Sequence, residues 1–233
     1  MADTIARLLA PHPEDAPAIG APGRDWLRYG ALRDLAERTA KALRQAGVGA
    51  QDRVAIVLAN GPEMATAFVT IAQAATTAPL NPAYREEEFA FYLEDLGAKA
   101  IVVAQGYDGP ALAAAEKAGL TVIRLRTDDG RPAGDFTLHA EGETAPAPEG
   151  SPGADDVALI LHTSGTTSRP KIVPLRQGNV AASARNVGVS LALTPDDRCL
   201  NVMPLFHIHG LIAAVSASLA AGGSIWCAPG FDA

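Results

Sequence analysis

Apolar positions along the chain alternate between two periods. Leu32, Leu35, Ala36, Thr39, Leu43 and Ala46 recur at helical spacing on one face, and Gly47 and Gly49 close that helix. Arg53 to Leu58 is a short apolar run and predicts a strand. Asn60-Gly61-Pro62 starts a second helix, with Pro62 at its first position, where a missing N–H costs nothing. Met64, Phe68 and Ile71 continue it. Asn81-Pro82 predicts a turn. Glu86, Glu87 and Glu88 then occupy the first turn of a helix, where acids complement the dipole. Phe89, Tyr92, Leu93 and Leu96 line its apolar face up to Gly97.

The alternation continues with a strand over 100–104, a helix over 110–118 and a strand over 121–125. Strand and helix in turn imply right-handed crossovers and an α/β fold of largely parallel sheets flanked by helices. Residues 1–28 are Pro/Ala-rich and weakly patterned, which predicts an N-terminal extension ahead of an α/β subdomain over 29–125. Residues 126–154 are rich in Asp, Gly, Glu and Pro, including Ala145-Pro146-Ala147-Pro148, and predict an exposed linker. A second subdomain spans 155–233. It opens with a buried strand, Val157 to Leu161, followed by a helix over 179–191, a strand over 199–203, a helix over 209–220 and a strand over 224–227.

Composition narrows the function classes. The chain has 233 residues with 48% hydrophobic, enough for a sizeable core. Against 26 acidic residues stand 19 basic ones, a net charge of −7, which argues against nucleic acid and anionic membranes as partners. Cys199 and Cys227 form no C-x-x-C pattern and predict reduced, buried thiols in a cytoplasmic protein. No apolar leader segment occurs in residues 1–20, and Leu211 to Ala221 is too short to span a bilayer. His207-x-His209 lacks a third ligand at a suitable spacing, so no metal ligation is expected there. Trp26 and Trp226 are expected in the core.

The densest chemistry is in residues 162–171, His-Thr-Ser-Gly-Thr-Thr-Ser-Arg-Pro-Lys, directly after the buried strand. Hydroxyls and backbone N–H groups donate to phosphate oxygens, glycine permits close approach, and lysine adds positive charge. Such a loop suits a polyphosphate. It is not the Walker loop, because Pro170 stands where the second glycine belongs and Ile172 follows Lys171. Nor does a G-x-G-x-x-G follow any strand.

Thr163-Ser164-Gly165-Thr166-Thr167-Ser168-Arg169-Pro170-Lys171 resembles the phosphate-loop signature of the adenylate-forming enzymes, which include the acyl-CoA synthetases. Met203-Pro204-Leu205-Phe206-His207-Ile208-His209-Gly210 resembles that family's next motif, beside the acyl pocket, and Pro79-Leu80-Asn81-Pro82 a weaker third. The Ser-Arg-Pro-Lys ending and Pro-Leu-Phe-His-Ile-His-Gly are most similar to the oxalate–CoA ligase branch. Two positions depart from the pattern: Ser168 and Ile172 stand where glycine is usual, and a β-branched side chain at 172 resists a left-handed backbone after Lys171.

The resemblance implies the incomplete N-terminal domain of an acid–CoA ligase that uses ATP with Mg2+, a small carboxylic acid and CoA. Thr163, Ser164, Gly165, Thr166, Thr167 and Ser168 would cradle the phosphates, and Lys171 would neutralise departing pyrophosphate. It also implies poor order around Thr166 to Arg169 without nucleotide. His207 would line the acyl pocket near the carboxylate; the bland alternative is a satisfied core histidine. His162 precedes the loop and is expected only to pack there. Full-length members run roughly twice as far, and their later motifs have no match in this chain. The chain alone is therefore expected to be inactive and to expose apolar surface that favours homo-oligomers. The competing reading is a truncated, non-catalytic nucleotide- or acyl-binding module.

Overall fold

A computed structural model describes residues 3–163 and 170–231. After α1 (Ile5–Leu9), β1 (Pro17–Ala21), β2 (Arg24–Arg28) and α2 (Tyr29–Gln45), the alternation begins with β3 (Arg53–Val57), α3 (Pro62–Ile71) and β4 (Thr76–Pro79). It continues through α4 (Glu86–Leu96), β5 (Ala100–Ala104), α5 (Pro110–Lys117), β6 (Thr121–Arg126) and β7 (Thr137–Ala140). Then come β8 (Val157–Thr163), β9 (Lys171–Arg176), α6 (Gln177–Ser190) and β10 (Arg198–Asn201). A π-helical segment (His209–Ser216), α7 (Ala217–Ala220) and β11 (Ser224–Cys227) follow.

The strands form two sheets, ordered β7-β6-β5-β3-β4-β8-β9 and β10-β11-β1-β2. In the larger sheet β3 to β6 and β8 are parallel, while β7 and β9 close the edges antiparallel. β3 and β5 read as near-continuous apolar runs because both faces are covered. Val54 and Ile56 of β3 join the core under α2 and α3, whereas Ala55 and Val57 join the core under α4 and α5. That division follows from the two-residue period of a strand.

The helices expected at 60–71 and 86–97 form as α3 and α4. The Arg85 N–H donates to the Glu88 carboxylate at 2.9 Å, and Gly97 ends α4 at φ 56°, a left-handed value that costs glycine nothing.

Three expectations change. Residues 1–28 are not a loose extension: α1 buries Ile5, Leu8 and Leu9, and β1 sits between β11 and β2 in the smaller sheet. Weak patterning concealed them because both strands are five residues long and the parallel partner of β1, β11, lies far along the sequence. The stretch 126–154 is not wholly exposed either. It adds β7 to the sheet and buries Ala133, Phe136 and Leu138. Of the two free thiols, Cys227 is buried but Cys199 is only half-buried.

Trp26 and Trp226 meet across Gly20 with ring centroids 5.2 Å apart, and a Cβ at Gly20 would lie 2.7 Å from the Trp26 ring. The buried Tyr29 hydroxyl reaches the carbonyls of Gly223 at 2.8 Å and Leu219 at 3.2 Å. Burial holds that phenol well above its ordinary pKa. Among the described residues no helix is long and apolar enough to cross a membrane.

Candidate phosphate and acyl site

The site begins with β8. Ala158, Leu159 and Ile160 are buried, as a strand covered on both faces requires. β8 pairs with β4 at Thr77↔Leu159, and two threonine hydroxyls of β4 reinforce the join. Thr76 donates to the Val157 carbonyl and Thr77 to the Ala158 carbonyl, each at 2.7 Å. On the other side β8 runs antiparallel to β9 through six register pairs, ending at His162↔Ile172 and Thr163↔Lys171. β9 tolerates Pro174 because it is an edge strand, with no neighbour requiring that N–H.

Lys171 is therefore the first residue of a strand rather than part of a loop, and it stands directly opposite Thr163 with both side chains exposed. Ile172 is an ordinary strand residue, for which β-branching is an advantage. No left-handed backbone is needed after the lysine. Ser164, Gly165, Thr166, Thr167, Ser168 and Arg169 lie outside the described residues, as does the expectation about the order of that segment.

The second segment follows β10. Leu205 is buried, while His207, Ile208 and His209 are exposed. His207 is thus not a core histidine; its ring lies 4.5 Å from that of Phe206, and its carbonyl accepts the Leu211 N–H at 3.2 Å. His209 opens the π-helical segment, a helix form often met at functional sites.

Asn60, which the sequence marked only as part of a helix start, joins these pieces. From the loop after β3 its Oδ1 accepts the Leu205 N–H at 3.0 Å, and its Nδ2 donates to the Ala228 carbonyl at 3.3 Å. Three loops, each after the carboxyl end of a parallel strand, converge on this amide: those following β3, β10 and β11. Carboxyl ends of parallel strands are where open α/β sheets bind ligands. Thr163, at the carboxyl end of β8, and Lys171, at the start of β9, stand at the same end of the larger sheet.

His162 is placed as packing, and also as more. Its side chain is 6% exposed, with Nε2 3.1 Å from Asp95 Oδ2 on α4. Burial lowers its pKa, and the Asp95 carboxylate partly opposes this. Among the described residues no group of three His, Cys, Asp or Glu is arranged to hold a metal ion. Thr163 and Lys171, paired in register and exposed, carry the donor types a phosphate takes.

The sequence model for "AMP-binding enzyme" matches residues 6–233. The oxalate–CoA ligase of Arabidopsis thaliana is 39% identical over 229 residues, covering 96% of this chain and 45% of that protein. The indoleacetate–CoA ligase of Aromatoleum aromaticum is 35% identical, covering 93% of this chain and 42% of that protein. Among solved structures, apo MatB from Rhodopseudomonas palustris superimposes with a TM-score of 0.81 at 29% identity, over 100% of this chain and 46% of that one. The O-succinylbenzoate coenzyme A synthetase MenE of Bacillus subtilis, in complex with ATP and magnesium ion, gives 0.77 at 25% identity, over 98% and 57%. The chain spans less than half the length of these two curated relatives.

Proposed function

This chain belongs to the AMP-binding enzyme family, and we propose that it is the N-terminal part of an ATP-dependent acid–CoA ligase. The observation that carries the reading is the pairing of Thr163 with Lys171 where β8 leaves the sheet. A substrate carboxylate attacks the α-phosphate of ATP, pyrophosphate leaves, and an acyl-adenylate forms. The CoA thiol then attacks the acyl carbon and AMP departs. Both first-step reactants are anions, so the protein's task is to position them and offset charge. Lys171 stabilises the departing pyrophosphate, with Thr163, Ser164, Gly165, Thr166, Thr167 and Ser168 around the β- and γ-phosphates. Mg2+ bound to those phosphates would offset part of their negative charge. His207, exposed on the loop that Asn60 fastens, contacts the acid.

Relatives named for oxalate support a small dicarboxylate as the first acid to try, and relatives named as CoA ligases support CoA as acceptor. The remaining catalytic groups come from sequence beyond this chain, and the protein is cytoplasmic. The test is ATP–pyrophosphate exchange by the full-length ligase with a panel of acids led by oxalate and malonate, with Lys171→Ala as control. Exchange with one acid, lost in the variant, supports the reading; no exchange with any acid in a folded protein overturns it.

A further inference from the structure

The end of β8 nearest the phosphate site is lightly held by backbone. β8 meets β4 at Thr77↔Leu159, and from Leu161 to Thr163 its register partners are Val173, Ile172 and Lys171 of β9, itself an edge strand. Leu161 and Ile172 pack partly against the two cores, and the polar tie from this stem to α4 is the His162 side chain. Its Nε2 faces Asp95 on α4 at 3.1 Å, and its ring stands edge-on to Tyr92 at 4.6 Å. Tyr92 in turn stacks on Tyr84 at 4.8 Å, in the turn built on Asn81. A neutral His162 donating from Nε2 to the carboxylate satisfies both groups, and the aromatic stack fixes the ring plane.

We propose that Asp95 is a positioning residue for ATP: through His162 it holds the upstream stem of the β8–β9 hairpin so that Thr163 and Lys171 remain opposed at the phosphates. The inference rests on the reading that this end of the hairpin takes ATP. Among the described residues, the side-chain hydrogen-bond partner of Asp95 is His162. The Asp95 side chain is 38% exposed, so replacing it removes no core packing and costs chiefly the hydrogen bond to His162.

The experiment titrates MgATP into the full-length ligase and its Asp95→Ala and Asp95→Asn variants by calorimetry, with melting temperature and the His162 ring 15N signal followed in parallel. Asp95→Ala should weaken ATP binding by about tenfold, the magnitude of one lost hydrogen bond to a charged group, with a melting temperature lowered no more than the loss of that one bond requires. The His162 titration should move to lower pH in that variant. Asp95→Asn, which still accepts from Nε2–H, should bind within about twofold of the parent. An Asp95→Ala variant that binds ATP like the parent while the His162 signal moves overturns the inference alone. So does an unmoved His162 signal, or an Asp95→Asn variant as weak as Asp95→Ala. A folded full-length parent that binds no MgATP overturns the phosphate-site reading and this inference together.

Discussion

The Asn60 side chain accepts the Leu205 amide at 3.0 Å across 145 residues of sequence, and from its other end donates to the Ala228 carbonyl. One amide thereby spans the loops that follow β3, β10 and β11. Removing it leaves a partly buried N–H and C=O without their partner, which costs about 1–3 kcal/mol. Asn60→Ala should lower the urea midpoint accordingly, while Asn60→Asp, which keeps the acceptor but loses the donor, should fall between. A midpoint unchanged in Asn60→Ala would show that the loops converge without it.

Lys171 and Thr163 stand opposed at the last register pair of their hairpin, both exposed. Lys171→Ala should therefore leave stability within about 0.5 kcal/mol. In the full-length ligase it should lower the exchange rate by about 10²–10³, as loss of one preorganised donor does. Thermal melting and pyrophosphate exchange on the same preparation separate the two effects; a large stability loss would place Lys171 among structural residues instead.

Two histidines set the acid side of the stability profile. Burial lowers the pKa of both His12 and His162 below the ordinary 6.5. The unfolded chain then binds protons first as pH falls, so protonation favours unfolding. Stability should be full above pH 6.5 and decline between there and the lowered values. Asp156 and Asp197, held below the usual 3.8 by hydrogen bonds, act only in a separate window further down. Urea midpoints at about pH 7.5 and about pH 5.5 test this, since equal midpoints would contradict it.

Gly20 lies beneath two tryptophans. A methyl there meets the Trp26 and Trp226 rings at 2.7–2.8 Å, so both must move. Gly20→Ala should destabilise by about 1–3 kcal/mol, the range for overpacking. It should also change near-ultraviolet circular dichroism from the tryptophan pair. A variant with parental spectrum and stability would mean that the rings separate freely.

Local order was legible where it was long and periodic. The buried face of α2 at Leu32, Leu35, Ala36, Thr39 and Leu43, the proline that opens α3 and the acids that open α4 all declare themselves in sequence, because each depends on neighbours within a few residues. β1, β2 and β7 do not, because four or five residues carry too little period and their pairing is decided elsewhere in the chain. β9 was hidden by Pro174, a residue that demotes a strand until its edge position is known. The same divide runs through the site. Thr163 and Lys171 belong to one local hairpin and could be named together from their order. The Asn60 link to Leu205 and the Asp95 link to His162 cross 145 and 67 residues, and no spacing rule reports such contacts.

The smaller sheet sets an order of assembly. β1 pairs with β2 at once, but its other edge is filled by β11, whose Ile225 and Trp226 align with Ile19 and Gly20. On the ribosome the first hairpin must wait, one backbone edge unpaired, while the strands of the larger sheet are synthesised. Closing so long a loop is slow, and the waiting edge invites partners in the meantime. Chaperone capture during synthesis should therefore concentrate on residues 17–28 and fade once residue 227 has emerged.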